Sequence, residues 1–259
     1  MKKYPSAKIN LGLNIVAKRA DGYHDIETVF YPIPLFDELE VETLSDSEQQ
    51  GKAYVLVTEG NSVDCADDDN LVVRAYKMLA EKYSLPRVSI RLKKLIPSQA
   101  GLGGGSSDAT SMLMMLNEQY HLGITDDELR GYASRLGADC PFFVDAEPMF
   151  ATGIGNIFTP LNSPIPALEG KYIAVVKPNI AVSTREAYSM LRPQKPNECC
   201  KDVMIKPIAM WRDNLTNDFE KPVFNIYPEL ANIKQRLYAD GAVYAQMSGS
   251  GSAIFGIFD

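Results

Sequence analysis

The chain has 259 residues, 46% of them apolar and 23% charged, with a formal net charge of −7. That length and composition predict one large or two small domains with a sizeable core, and argue against a disordered chain. The acidic balance excludes a general electrostatic footprint for nucleic acid, so any phosphate ligand has to be held by local backbone amides and a few placed cations.

Taken in chain order, Ile9, Leu11, Leu13 and Ile15 alternate with other residues and predict a strand with one buried face. Residues 35–43 and 53–58 alternate in the same way. Over residues 70–83, apolar positions 71, 72, 75, 76, 79 and 80 form a helical stripe that Asn70 is placed to cap. A strand is expected over 87–92, a loop from Pro97 to Gly105, and a helix from Ser106 to about Tyr120. Thr125 followed by Glu128 is a capping-box pattern, which starts a third helix over 125–137. Residues 171–177 predict a buried strand, whereas 160–169 and 192–207 are proline-rich and polar and predict loops. Residues 228–240 predict a helix, and the last segment reads as strand, glycine turn, strand. A domain boundary is expected near 153–160, giving domains 1–155 and 156–259.

Cys65, Cys140, Cys199 and Cys200 show no C-x-x-C spacing and accompany only two histidines, so a zinc site is not expected; free thiols in a reducing cytoplasm fit instead. Lys2 and Lys3 precede an apolar stretch that Asn10 and Asn14 interrupt, so neither a signal peptide nor a membrane span is expected.

The most informative stretch is Pro97 to Thr110, with glycines at 101, 103, 104 and 105. Such a backbone lets a ligand approach without Cβ clashes, and the helix that follows points unpaired N–H groups and its positive dipole end at the loop. The combination suits a polyphosphate, with Ser106 and Ser107 supplying hydroxyls to a phosphate or to Mg²⁺. It is neither a Walker A loop, since no Lys-Ser/Thr follows, nor a dinucleotide fingerprint, since Ser106 replaces the third glycine. The competing reading is a structural tight turn; four glycines at a helix start favour phosphate. A second glycine turn, Ser248 to Ser252, reads alone as a flexible hairpin, and beside the first as part of a phosphate site.

Phosphoryl transfer asks for positioning, charge stabilisation and a base for the attacking hydroxyl. Lys8, at the start of a buried strand, and Asp139, among apolar neighbours, are the candidates. A lysine beside Asp139 would keep it ionised against desolvation. Periodicity does not bring the two together, and a surface Lys8 with a helix-capping Asp139 remains the other reading.

The glycine segment resembles the second motif of the GHMP kinases. Residues 7–11 (AKINL), 19–24 (RADGYH), 136–143 (LGADCPFF) and 248–252 (SGSGS) extend the likeness over residues 6–258, toward the branch acting on a cytidine diphosphate methylerythritol in the non-mevalonate isoprenoid route. The resemblance implies a two-domain α/β (α+β) fold, with an ATP-binding N-terminal domain like domain 2 of ribosomal protein S5 and a ferredoxin-like substrate-binding C-terminal domain, the active site lying between them. It implies ATP-dependent phosphorylation of the 2-hydroxyl of that small-molecule substrate by a cytoplasmic monomer or homodimer, without nucleic acid or membrane partners.

By motif position, the resemblance makes Asp139 the base and Lys8 its orienting partner. It assigns Pro97, Gly101, Leu102, Gly103, Gly104, Gly105, Ser106 and Ser107 to the ATP phosphates, and Asn70, Leu71 and Lys94 to the adenine pocket. Ser107 is the expected Mg²⁺ ligand, shared with phosphates and water. Asn10 would hold the methylerythritol, Tyr23, His24, Thr184 and Tyr188 the cytidine, and Gly249, Ser250 and Gly251 the substrate. For Asn70, Leu71 and Lys94, a helix cap, a core leucine and a surface lysine are the plainer alternatives. Two departures stand out: Thr110 occupies a position where alanine is common, and the chain ends at Asp259 where many relatives continue, so a short member and a cut chain both fit. The competing functions are another GHMP kinase, of homoserine or mevalonate type, and a non-catalytic nucleotide sensor of the same fold.

Overall fold

The computed structural model describes residues 1–45, 53–161 and 165–259; part of the loop expected over 160–169 therefore lies outside the described residues. The strands are β1 (Lys2–Lys3), β2 (Ser6–Lys18), β3 (His24–Phe36), β4 (Glu38–Thr43), β5 (Tyr54–Gly60), β6 (Val88–Lys94), β7 (Met149–Thr152), β8 (Ile157–Pro160), β9 (Tyr172–Val176), β10 (Tyr244–Met247) and β11 (Ile254–Phe258). The helices are α1 (Leu71–Tyr83), α2 (Gly104–Gln119), α3 (Asp126–Leu136), α4 (Thr184–Ser189), α5 (Cys200–Met204), α6 (Trp211–Asn214), α7 (Glu220–Ile226) and α8 (Pro228–Ala239). Packing divides the chain into two compact units: unit 1 is Met1–Ala7, Pro34–Ser98 and Gly103–Ala146, and unit 2 is Lys8–Ile33, Gln99–Leu102 and Glu147–Asp259. Neither unit is continuous in sequence, unlike the expected division at 155/156.

Unit 1 is built on a sheet of order β1-β4-β6-β5, in which β5 and β6 are parallel. Parallel neighbours need a long crossover, and α1 lies in it. The expected helical stripe is buried: Val72, Val73, Ala75, Tyr76 and Leu79 of α1 pack with Met112, Leu113, Met115 and Leu116 of α2 against Leu39, Val41, Ile90 and Leu92 of the sheet. Asn70 caps α1, its side chain accepting from the Val72 N–H at 3.1 Å, and Thr125 and Glu128 form the expected capping box on α3.

Unit 2 holds a sheet of order β2-β3-β7-β8 and an antiparallel sheet of order β10-β11-β9. Its core joins Leu13 and Ile15 of β2 to Phe219, Val223, Leu230, Met247 and Ile254.

Four local expectations are corrected. The strand expected over 35–43 is broken at Asp37, which is fully buried and accepts from the N–H groups of Leu95 and Ile96 at 2.5 and 2.8 Å. Helix α2 begins at Gly104 rather than Ser106, because Gly103 turns the chain in the left-handed region at φ 71°. Strand β9 is an edge strand with Tyr172 exposed, not a buried one. Residues 192–207 contain α5, whose Cys200, Val203 and Met204 are buried. The thirteen-residue β3 was not foreseen, since Pro32 and Pro34 within it signal a loop.

Candidate active site

In unit 1 the glycine loop delivers α2 with its first turn unsatisfied. Gly103 is the N-cap and offers no side-chain hydrogen bond, so the N–H groups of Gly104, Gly105 and Ser106 lack intrahelical partners. Gly105 is exposed, Gly103 and Ser106 are half-buried, and Ser107 is buried. With the helix dipole, this arrangement favours an anion. The N-terminal residues of α1 lie alongside: a Cβ on Gly105 would stand 3.6 Å from Leu71 Cδ1. The half-buried Pro97 follows Ile96, whose Cγ2 would be 2.8 Å from a Cβ on Gly104.

Lys94 is neither on the surface nor open to a base through its ammonium. It is 3% exposed, and its Nζ is bound by Asp37 and by Asp108 at 2.5 Å. Burial pushes the Asp108 carboxyl up to about 7, with Lys94 opposing and Asp37 adding to the rise. The other Asp108 oxygen, Oδ1, is buried without a hydrogen-bond partner. The cluster fastens β6, ahead of the loop, to α2, behind it.

Asp139 is half-buried at the head of a short 3-10 turn, Cys140–Val144, that follows α3. The Cys140 N–H donates to Gly137 O at 3.2 Å, and Thr110 Oγ1 of α2 donates to Cys140 O at 2.8 Å. Burial pushes the Cys140 thiol up to about 11, so it stays protonated at neutral pH.

Unit 2 carries a second group of expected residues. Lys8 is 3% exposed; its Nζ donates to Asn10 Oδ1 at 2.7 Å and to Gly101 O at 3.1 Å, and lies 4.7 Å from the Phe30 ring centre. Asn10 Nδ2 donates to Thr28 Oγ1 at 3.0 Å, which fixes the amide so that its oxygen faces the lysine. The Asn10 N–H donates to Ser248 Oγ at 3.3 Å, and Ser248 Oγ donates to Gly101 O at 2.8 Å. The backbone N–H of Lys8 donates to Leu102 O at 2.9 Å. Lys8, Asn10, Gly101, Leu102 and Gly249 are thus brought together; a Cβ on Gly249 would lie 3.2 Å from Gly101 Cα.

His24, at the start of β3, stacks on Tyr188 of α4 with ring centroids 5.1 Å apart, and Tyr188 meets Phe219 edge-on at 4.9 Å. Tyr23 is exposed beside them in sequence, in a turn held by Asp21 accepting its N–H at 3.0 Å. Thr184 and Ser250 share a hydrogen bond of 2.9 Å, and Gly251 packs against Met247 and Val182.

Two family models match the chain, "GHMP kinases N terminal domain" over residues 70–146 and "GHMP kinases C terminal" over residues 203–259. A 4-diphosphocytidyl-2-C-methyl-D-erythritol kinase of Bacteroides fragilis is 50% identical over 258 residues, covering 100% of this chain and 92% of the relative. This chain belongs to the 4-diphosphocytidyl-2-C-methyl-D-erythritol kinases, within the GHMP kinases. It is accordingly an enzyme, a kinase of two-domain α+β architecture. A crystal structure of 4-(cytidine 5'-diphospho)-2C-methyl-D-erythritol kinase superposes with a TM-score of 0.82 at 35% identity, covering 99% of this chain and 89% of that one. A Methanococcus jannaschii mevalonate kinase superposes at 0.73 with 15% identity over 100% of this chain and 90% of that one, which is a likeness of fold alone.

Within this kinase, sequence reasoning missed the groups that hold the expected residues in place. Thr28, Gln246 and Asn217 are buried polar residues; Gln246 Oε1 accepts the Gly12 N–H at 2.9 Å, and Asn217 Nδ2 donates to Met247 O and Gly249 O at 2.7 and 2.8 Å. Thr28 and Gln246 were signalled only as polar residues among apolar ones, and Asn217, between Thr216 and Asp218, carried no such signal. Asp37 and Asp108 carried a similar signal, a carboxylate among buried neighbours, without a stated partner.

Proposed function

We propose that this chain transfers the γ-phosphoryl group of ATP to the 2-hydroxyl of 4-diphosphocytidyl-2-C-methyl-D-erythritol. The observation that carries the reading is the uncapped first turn of α2 behind the glycine loop, in a chain whose relatives bear that enzyme's name. Pro97, Gly101, Leu102 and Gly103–Ser107 form the phosphate cradle, and Asn70 and Leu71 border the adenine. Any nucleotide contact of Lys94 runs through its backbone or methylenes, its ammonium being engaged by carboxylates.

Asp139 takes the proton of the attacking hydroxyl, and Lys8 stabilises charge on the moving phosphoryl group. Asn10 holds both Lys8 and the methylerythritol end. The His24–Tyr188 stack, with Tyr23 and Thr184, recognises the cytidine; a polar pocket of this kind discriminates because an analogue lacking the base edge leaves its groups unpaired. Gly249, Ser250 and Gly251 complete the acceptor side. We assign nucleotide binding mainly to unit 1 and acceptor binding mainly to unit 2, which explains why Asn10, Tyr23 and His24 pack in the same unit as Thr184 and Tyr188. The enzyme is proposed to be cytoplasmic.

Mg²⁺ fits this frame as a companion of the nucleotide. Among the described residues no group of three His, Cys, Asp or Glu is arranged to hold a metal, and Ser107 supplies a single neutral hydroxyl, leaving phosphates and water as the other ligands. When bound, the ion neutralises phosphate charge.

The test is ATP turnover with the cytidine substrate against homoserine and mevalonate. Turnover is expected only with the first, and turnover with one of the others alone would remove the assignment. Asp139→Asn is expected to lower turnover on the order of 10²–10⁴-fold with nucleotide binding retained. A fully active variant would show that another group is the base.

A further inference from the structure

We infer that Thr110 is a positioning residue for phosphoryl transfer: through the carbonyl of Cys140, it fixes the turn carrying Asp139 against α2. The inference rests on the reading of Asp139 as the base. Thr110 is fully buried in the second turn of α2. A threonine inside a helix ordinarily turns its hydroxyl to a carbonyl of the preceding turn of the same helix. Here the hydroxyl donates instead to Cys140 O at 2.8 Å, thirty positions along the chain. Cys140 adjoins Asp139, so the tether acts one residue from the carboxylate.

The same turn and the same helix face also approach one another at Gly137. Ser106 precedes Thr110 by four residues, and residues so spaced share a face. A Cβ on Gly137 would lie 3.3 Å from Cys140 Sγ and 3.9 Å from Ser106 Oγ, so the thiol and the Ser106 hydroxyl both border that glycine. The first two turns of α2 therefore present the phosphate-loop N–H groups at their start and grip the Asp139 turn along their side. Thr110 converts what would be a small-residue contact into a directional one.

The test uses Thr110→Val, Thr110→Ser and Thr110→Ala in the full chain, reading kcat, the KM for each substrate and the melting temperature. Thr110→Val keeps the shape and removes the donor; it is expected to lower kcat about 10- to 100-fold, the scale of a small misplacement of a reacting group, with the KM for ATP unchanged. Thr110→Ser is expected to return kcat to near the original value. Should Thr110→Val fail to fold, the same contrast is read between Thr110→Ala and Thr110→Ser. Full kcat in the donor-less variant, or a folded serine variant that does not recover, overturns the inference. An inactive Asp139→Asn beside a fully active Thr110→Val would remove the tether alone, whereas an active Asp139→Asn would remove the base reading beneath it.

Discussion

The two glycine turns look alike in sequence and differ in what their polar groups do. In the turn from Ser248 to Ser252, both end residues are fully buried and the polar groups are engaged internally. Ser248 N–H donates to Ala253 O at 2.9 Å, Gly251 N–H to Ser248 O at 3.0 Å, Asn217 reaches Gly249 O, and Ser252 Oγ reaches Ile180 O. The turn from Gly101 to Gly105 instead opens into a helix whose first N–H groups carry no side-chain cap. The glycine loop ahead of α2 thus leaves its amides free of side-chain caps, whereas the Ser248–Ser252 turn holds a backbone corner beside Lys8 and Asn10. Glycine content alone does not separate a ligand loop from a packing loop; the engagement of the amides does.

The largest expected effect concerns the anchorage of the first turn. Lys94→Met leaves Asp37 and Asp108 buried without their cation, and should cost about 3–5 kcal/mol in denaturant unfolding. A change below about 1 kcal/mol would mean that the cluster is not what joins β6 to α2. Next comes Gly101→Ala. Its Cβ would stand 2.1 Å from the Ser248 carbonyl oxygen, at a residue with φ 74°, so strain and backbone displacement together should destabilise by about 2–4 kcal/mol. Tolerance at this position would break the picture of the two turns packed backbone to backbone in unit 2.

Asn217→Ala probes the packing turn alone. It strips the donor from two buried carbonyls and is expected to lower stability by about 1–3 kcal/mol, leaving nucleotide affinity untouched in a titration with an ATP analogue. The smallest stability effect has the opposite sign. Gly105→Ala has room for its methyl group and a helical backbone, so unfolding should become harder by about 0.5–1 kcal/mol. The same methyl group sits on the exposed first turn, and nucleotide binding should weaken. A stabilised variant with unchanged affinity would show that phosphates do not approach α2 there.

Local order was legible wherever periodicity and capping agree. Helix α1 with its Asn70 cap, the Thr125–Glu128 box of α3 and the closing hairpin all follow from residues within a few positions of one another. Strand β3 was hidden because its prolines mimic a loop, and β9 misled because an apolar run does not state whether a neighbour covers it. For Lys94 the structure removes the surface alternative, which the sequence left open because a lysine at a strand end looks the same on a surface as between two buried aspartates.

By itself, the amino-acid order determined the starts of α1 and α3, the glycine loop ahead of α2 and the family motifs, because each is written in contiguous residues whose backbone preferences are local. Tertiary structure alone decided which carboxylates hold Lys94, that Asn10 and Ser248 meet, that His24 stacks on Tyr188, and that Thr110 grips Cys140. Those pairings join positions 14 to 238 residues apart. No local preference specifies them, for they exist only once separate elements have been brought together around a shared core.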